Sequence, residues 1–188
     1  MTEVTEPDPP YDPEADPAYE LLGLLAEEFA AGGIEASLLP GDDEVPAQLM
    51  VPLVAEDGAS WTAHVCFLPE HASPAVLQYL VVVDDDIRDD AVPTTARFLH
   101  QVNAALPLTG FELGESVSTV VFRHTQALSV HPLDPGVVAW PLSMIHHAVT
   151  RFGPLVVAAG DGVPFAELVA GFGRAMAALY AEPPAAGS

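Results

Sequence analysis

Lysine is absent from this chain, and its five cations are all arginines: Arg88, Arg97, Arg123, Arg151 and Arg174. Nucleic-acid binding needs a cationic footprint that displaces counterions from phosphates, and five scattered arginines do not supply one. Anionic membrane surfaces are disfavoured for the same reason. The single cysteine, Cys66, excludes an intramolecular disulfide and fits a reducing compartment. No apolar run approaches the ~20 residues needed to cross a bilayer. The segment MTEVTEPDPP, acidic and proline-rich, is the opposite of a positively charged signal-peptide start. The expectation is a cytoplasmic protein with neither a membrane nor a nucleic-acid partner.

Reactive signatures are missing as well. Neither a G-x-S-x-G nucleophile elbow nor a phosphate-binding loop occurs, and no H-E-x-x-H pair offers two imidazoles one helical turn apart. His146 and His147 are adjacent, so on a helix they diverge by about 100° and cannot grip one ion. His64 and Cys66 share a strand face and could chelate together, but no third ligand is evident. The run Asp84-Asp85-Asp86-Ile87-Arg88-Asp89-Asp90 lacks the glycine and distal glutamate of a calcium loop. Its position before a helix suggests that Asp89 or Asp90 caps that helix and the remaining charge favours its positive end. Cys66, inside a strand, reads as a small packed hydrophobe rather than a thiolate. No catalytic residue, cofactor-binding residue or metal ligand is assigned.

What the chain does have is acid and apolar pattern. Asp and Glu number 27 for a formal net charge of -22, while hydrophobic residues make up 50% of 188 positions. The charge solubilises the surface, and it would also attract a basic partner segment. A chain of this size buries about 70% of its unfolded surface, enough for a core without staples. Residues 1–17 mix acids with Pro7, Pro9, Pro10, Pro13 and Pro17, which points to a disordered tail. Residues 18–181 read as one domain, and 182–188 as a loose end.

Within the domain, Leu21, Leu22, Leu25 and Phe29 recur at helical spacing until Gly32-Gly33. Leu49, Val51 and Leu53 alternate along a strand, and Asp57-Gly58 joins it to WTAHVCFL as a hairpin. There Trp61, Ala63, Val65 and Phe67 share one face, and Thr62, His64 and Cys66 the other. The run VLQYLVVV, 76–83, is apolar at both phases and predicts a central or doubly covered strand. A helix over about 91–105 stacks Val92, Ala96, Leu99 and Asn103. A hairpin turning through Gly114 to Ser116 follows, with Val120, Phe122 and Leu128 on one face and Val121, Arg123 and Thr125 on the other. Helices over about 136–152 and 164–181 finish the domain, divided by Gly153-Pro154 and by Gly160-Asp161-Gly162. Strands joined by hairpins favour an α+β fold with a mostly antiparallel sheet flanked by helices.

The stretch from Leu99 to Leu128 carries a resemblance. The helix end Leu99-His100-Gln101-Val102-Asn103, then Leu106-Pro107-Leu108-Thr109-Gly110-Phe111-Glu112-Leu113, then Val120-Val121-Phe122-Arg123, resembles the YbjN family. That family's fold is similar to that of type III secretion chaperones. The likeness extends loosely over residues 20–175. It implies a non-enzymatic, chaperone-like or regulatory domain that binds a partner protein segment, and a homodimer. The alternative is a small-molecule or metal-binding regulator. The residues expected to meet a partner are Arg123, Val121 and His64. The Arg123 guanidinium is suited either to a salt bridge within the chain or to a partner carboxylate.

Overall fold

The computed structural model describes residues 16–42, 44–68, 75–107, 110–128 and 134–180. The expectations for the N-terminal tail up to residue 15 and for 182–188 lie outside these. The tail's inner boundary is corrected, because Asp16 and Pro17 belong to the first helix. Helix α1 runs Pro17–Ala31, and the Asp16 side chain accepts a hydrogen bond from the Ala18 amide at 2.8 Å. Proline at the first helical position has no N–H to leave unpaired, and such a cap is worth about 1 kcal/mol. Leu22, Leu25 and Phe29 form the buried stripe of α1.

Strands β1 (Ser37–Leu39), β2 (Gln48–Val54), β3 (Ser60–Phe67) and β4 (Ala75–Asp84) follow as an antiparallel meander. The β2–β3 turn is the expected Asp57-Gly58 hairpin: Gly58 adopts φ 90°, and Asp57 Oδ1 accepts from the Ala59 amide. Helix α2 (Val92–Asn103) then leads to β5 (Phe111–Gly114), a short 3-10 turn (Glu115–Val117) and β6 (Thr119–Leu128). Strand β6 slots between β4 and β5, giving the order β1-β2-β3-β4-β6-β5 with every pairing antiparallel. Helices α3 (Pro135–Gly160) and α4 (Phe165–Tyr180) complete the chain. The fold is α+β, as the pattern predicted.

The helices collect on one side of the sheet. Leu49, Val51, Leu53, Ala63, Val65, Leu77, Tyr79, Val81, Val120 and Phe122 point to that side and are buried. Tyr79 crosses the layer and donates its hydroxyl to the Val138 carbonyl of α3 at 3.0 Å. Helix α4 lies over α2 and α3, where the Phe172 ring meets Phe98 edge-on and Phe152 at a tilt. Arg97 of α2 stacks on the Phe165 ring, 3.8 Å from its centroid.

Two further sequence expectations change. Gly153-Pro154 does not end a helix; α3 continues unbroken through both. Val156 and Ala159 beyond the proline are fully buried, and Gly153 lies against the Trp61 ring, where a Cβ would sit 2.9 Å from Cζ2. Packing along the second half of the helix outweighs the lost backbone bond, since tertiary contacts supply most helical stability. Neither Asp89 nor Asp90 caps α2, because its N-cap is Ala91 and no side chain caps it. Asp90 instead pairs with Arg88 through two hydrogen bonds, of 3.0 and 2.7 Å. The expectation of a central or doubly covered strand holds for β4 in its first form: the strand is central, with Leu77, Tyr79 and Val81 buried and Val82 on the other phase 43% exposed.

Among the described residues, two buried side-chain oxygens, Thr95 Oγ1 and Gln126 Oε1, lack a hydrogen-bond partner. Thr95 of α2 is fully enclosed, and its hydroxyl oxygen has no hydrogen-bond partner. Replacing a buried, unpaired hydroxyl by a methyl of similar shape removes a desolvation penalty. Thr95→Val should therefore raise unfolding stability by about 1 kcal/mol in denaturant melts.

Candidate functional site

Strand alternation carries the three expected contact residues to one surface. With the core positions turned toward the helices, the opposite phase of every strand faces away from them. Met50, His64, Leu80 and Arg123 lie side by side across β2, β3, β4 and β6. Val121 sits in the next row, opposite Val82 on β4 and Glu112 on β5. His64 and Arg123 are separated by Leu80, two strand spacings or about 10 Å apart. Arg123, Val121 and His64 thus share the open face of the sheet.

Each has its own local arrangement. Arg123 Nε is 3.2 Å from Glu112 Oε2, with both side chains close to half exposed. A solvated pair of this kind adds little stability, so its effect is to neutralise both charges locally. His64 Nδ1 lies 2.8 Å from Gln48 Oε1 on the adjacent strand, which ties the ring to β2. Val121 is half-buried beside the exposed Val82. Cys66, in the row of Gln78 and Thr125, is recessed, and burial pushes its thiol above the ordinary value of 9.0. A thiol so shifted carries little thiolate at neutral pH, which disfavours nucleophilic attack.

The remainder of the face explains why residue spacing alone did not disclose it. Val76, Leu80, Val82 and Val121 are aliphatic although no described helix covers them, so the residues alone left β4 either central or doubly covered. Leu39 and Val54 extend the apolar surface, with Val54 56% exposed. Thr62, Gln78, Thr119 and Thr125 supply uncharged polar groups. Among the described side chains of this face, Glu112 is the sole acid. Asp84, at the end of β4 after a register shift, turns its carboxylate toward Gly160 of α3, on the helix side.

The acidic run is occupied with itself. Arg88, besides its fork to Asp90, donates from Nη1 to the Asp161 carbonyl at 3.0 Å. Asp84 Oδ1 accepts from the Asp86 amide. Among the described residues, no group of three or more His, Cys, Asp or Glu side chains is arranged to hold a metal ion. No helix among them is long and apolar enough to cross a membrane.

His124, opposite Tyr79, is a titratable group on the core side of the sheet. The His124 ring lies 5.8 Å from that of Tyr79, and burial pushes its pKa below the ordinary 6.5. The fold thus favours the neutral ring; that stability is full above pH about 6.5 and is lost as pH falls through the lower folded-state value. Asp84, raised chiefly by burial and next by neighbouring aspartates, has the opposite sign and gains as the pH falls through its raised value. Between pH about 7.5 and about 5.5, wild-type protein should therefore lose more melting temperature than His124→Phe, since only the former must protonate a shielded imidazole. Thermal melts of the pair at both pH values check this, with other ionisations cancelling in the difference.

No protein-family model, no curated protein and no solved structure matches the chain.

Proposed function

We propose that this chain is a non-enzymatic protein-interaction or regulatory domain of the YbjN kind, acting in the cytoplasm, which binds a protein partner on the open face of its sheet. The observation that carries the reading is that face itself: it is aliphatic, hydroxyl-bearing and almost uncharged on a chain of net charge -22. Sheet faces left to water are ordinarily dressed in charge, whereas contiguous apolar surface marks a place where another molecule sits. The recessed, thiol-form Cys66 and the Arg88 already paired with Asp90 are poorly suited to catalysis, which supports an interaction reading. The resemblance at Leu99 to Leu128 supports the same reading, with Arg123, Val121 and His64 as contact residues.

The test is site-specific photo-crosslinking in living cells. A photoreactive residue placed at Val121 should yield a discrete protein adduct, while the same residue at Val169, exposed on α4, should not. Absence of an adduct at 121, or equal labelling at both positions, would overturn the assignment.

A further inference from the structure

Which molecule covers the open face follows from its charge, its area and the state of the sheet edges. We propose that it is a second copy of this chain, the two sheets packing face to face about a two-fold axis. The proposal rests on the interaction reading above and names its partner.

Charge is the first argument. Two chains of net charge -22 repel strongly wherever their carboxylates meet. On this face Glu112 is already neutralised by Arg123 at 3.2 Å, and the other described outward side chains carry no acid. It is a surface on which two copies can touch without bringing carboxylate against carboxylate. A basic segment, by contrast, would be drawn to the acidic loops and helices and would find no counter-charge here. An isologous contact also sets the same neutral chemistry on both sides, so the match needs no separate partner surface.

Area is the second. Strands of 3, 7, 8, 10, 4 and 10 residues make up the sheet. At about 3.3 Å per residue and about 4.8 Å between strands, they span roughly 700 Å² in projection. That is close to the ~800 Å² per partner of a standard stable interface. Small and medium side chains such as Thr62, Val82, Val121 and Thr125 keep the surface low in relief. This suits a second sheet about 10 Å away better than a helix needing a groove.

The edges supply the third. A peptide partner would most readily extend the sheet as an extra strand. Strand β1 has only three residues, and at β5 both outward backbone groups of Phe111 are taken by the Asn103 side chain. The edges are short and one is blocked, so the face is the part of the sheet left to recruit a partner.

Sedimentation velocity and native mass spectrometry of the purified full chain at micromolar concentration decide the matter. Wild-type protein should have twice the 19.7 kDa chain mass. Val82→Glu and, independently, Thr62→Arg place charge on the outward phase, away from the core, and each should weaken dimerisation by at least about tenfold. Val169→Glu, on the helical side, should leave the dimer unchanged, and circular dichroism should show all three variants folded. A monomeric wild type, or a dimer unaffected by both face variants, would overturn the proposal. If a monomeric wild type still gives an adduct with a different protein from position 121, the second copy is refuted and the interaction reading survives. If position 121 captures nothing as well, both fall together.

Discussion

Phe122→Ala should destabilise the protein by about 3–5 kcal/mol in urea or guanidinium melts, the cost of emptying a large core site. The ring is completely buried on β6, pairs edge-to-face with Phe111 at 5.0 Å between centroids, and lies opposite Val81 on β4. Truncation would leave a cavity between β4, β5 and the helical layer, bounded by a sheet whose hydrogen bonds resist collapse. The neighbouring Val121→Ala should cost much less in the monomer, because Val121 faces the open side. The ratio of the two effects therefore reports which phase of β6 the helices cover. Equal losses, measured at a concentration low enough to keep the chain monomeric, would mean that the outer face is enclosed by the protein itself.

That contrast also separates what was legible in the residues from what was not. The alternation Leu49-Val51-Leu53 and the helical recurrence of Leu22, Leu25 and Phe29 are local, and each appears as expected. So does the phase of β6, which put Phe122 inside and Arg123 outside, beside Glu112. The salt bridge between those two was one of the roles foreseen for Arg123. Whether a given face is covered is not local. Val76, Leu80 and Val82 are as apolar as Leu77, Tyr79 and Val81, so composition left open whether β4 is merely central or covered on both sides. Only the placement of α1, α2 and α3 on one side distinguishes them. The same limit applies to α3, where Gly153-Pro154 reads as a stop in isolation. Its continuation depends on Val156 and Ala159 finding a core and on Gly153 giving room to Trp61. Arg123, Val121 and His64 could each be placed on an outward phase from the chain, but their convergence required the strand order. With β6 inserted between β4 and β5, Arg123 comes within two strands of His64.

Asn103→Ala should be the other severe substitution, costing roughly 2–4 kcal/mol although Asn103 is only half-buried and has no role in the apolar core. Strand β5 is an edge, and Phe111 pairs with Phe122 in the register where its own N–H and C=O point away from β6. The flanking bond, from the Arg123 amide to the Gly110 carbonyl, fixes that register. Phe111 is itself 2% exposed, so water does not readily satisfy these groups. Asn103, at the last turn of α2, supplies both partners: Oδ1 accepts from the Phe111 amide and Nδ2 donates to the Phe111 carbonyl, each at 2.8 Å. One amide side chain thus stands in for a missing neighbouring strand. Gly110 is part of the device, because a Cβ there would collide with the Asn103 amide. Removing the side chain orphans a donor and an acceptor together, each worth about 1–3 kcal/mol when buried unpaired. Asn103→Asp keeps the acceptor, loses the donor and places a carboxylate against a carbonyl, so it too should destabilise, while protection of the Phe111 amide against hydrogen exchange should persist. In Asn103→Ala that protection should collapse toward the level of the β5–β6 turn. A melt within 0.5 kcal/mol of wild type, about the size of an ordinary surface substitution, would show that water replaces Asn103 at this edge and that β5 is held by Phe111 alone.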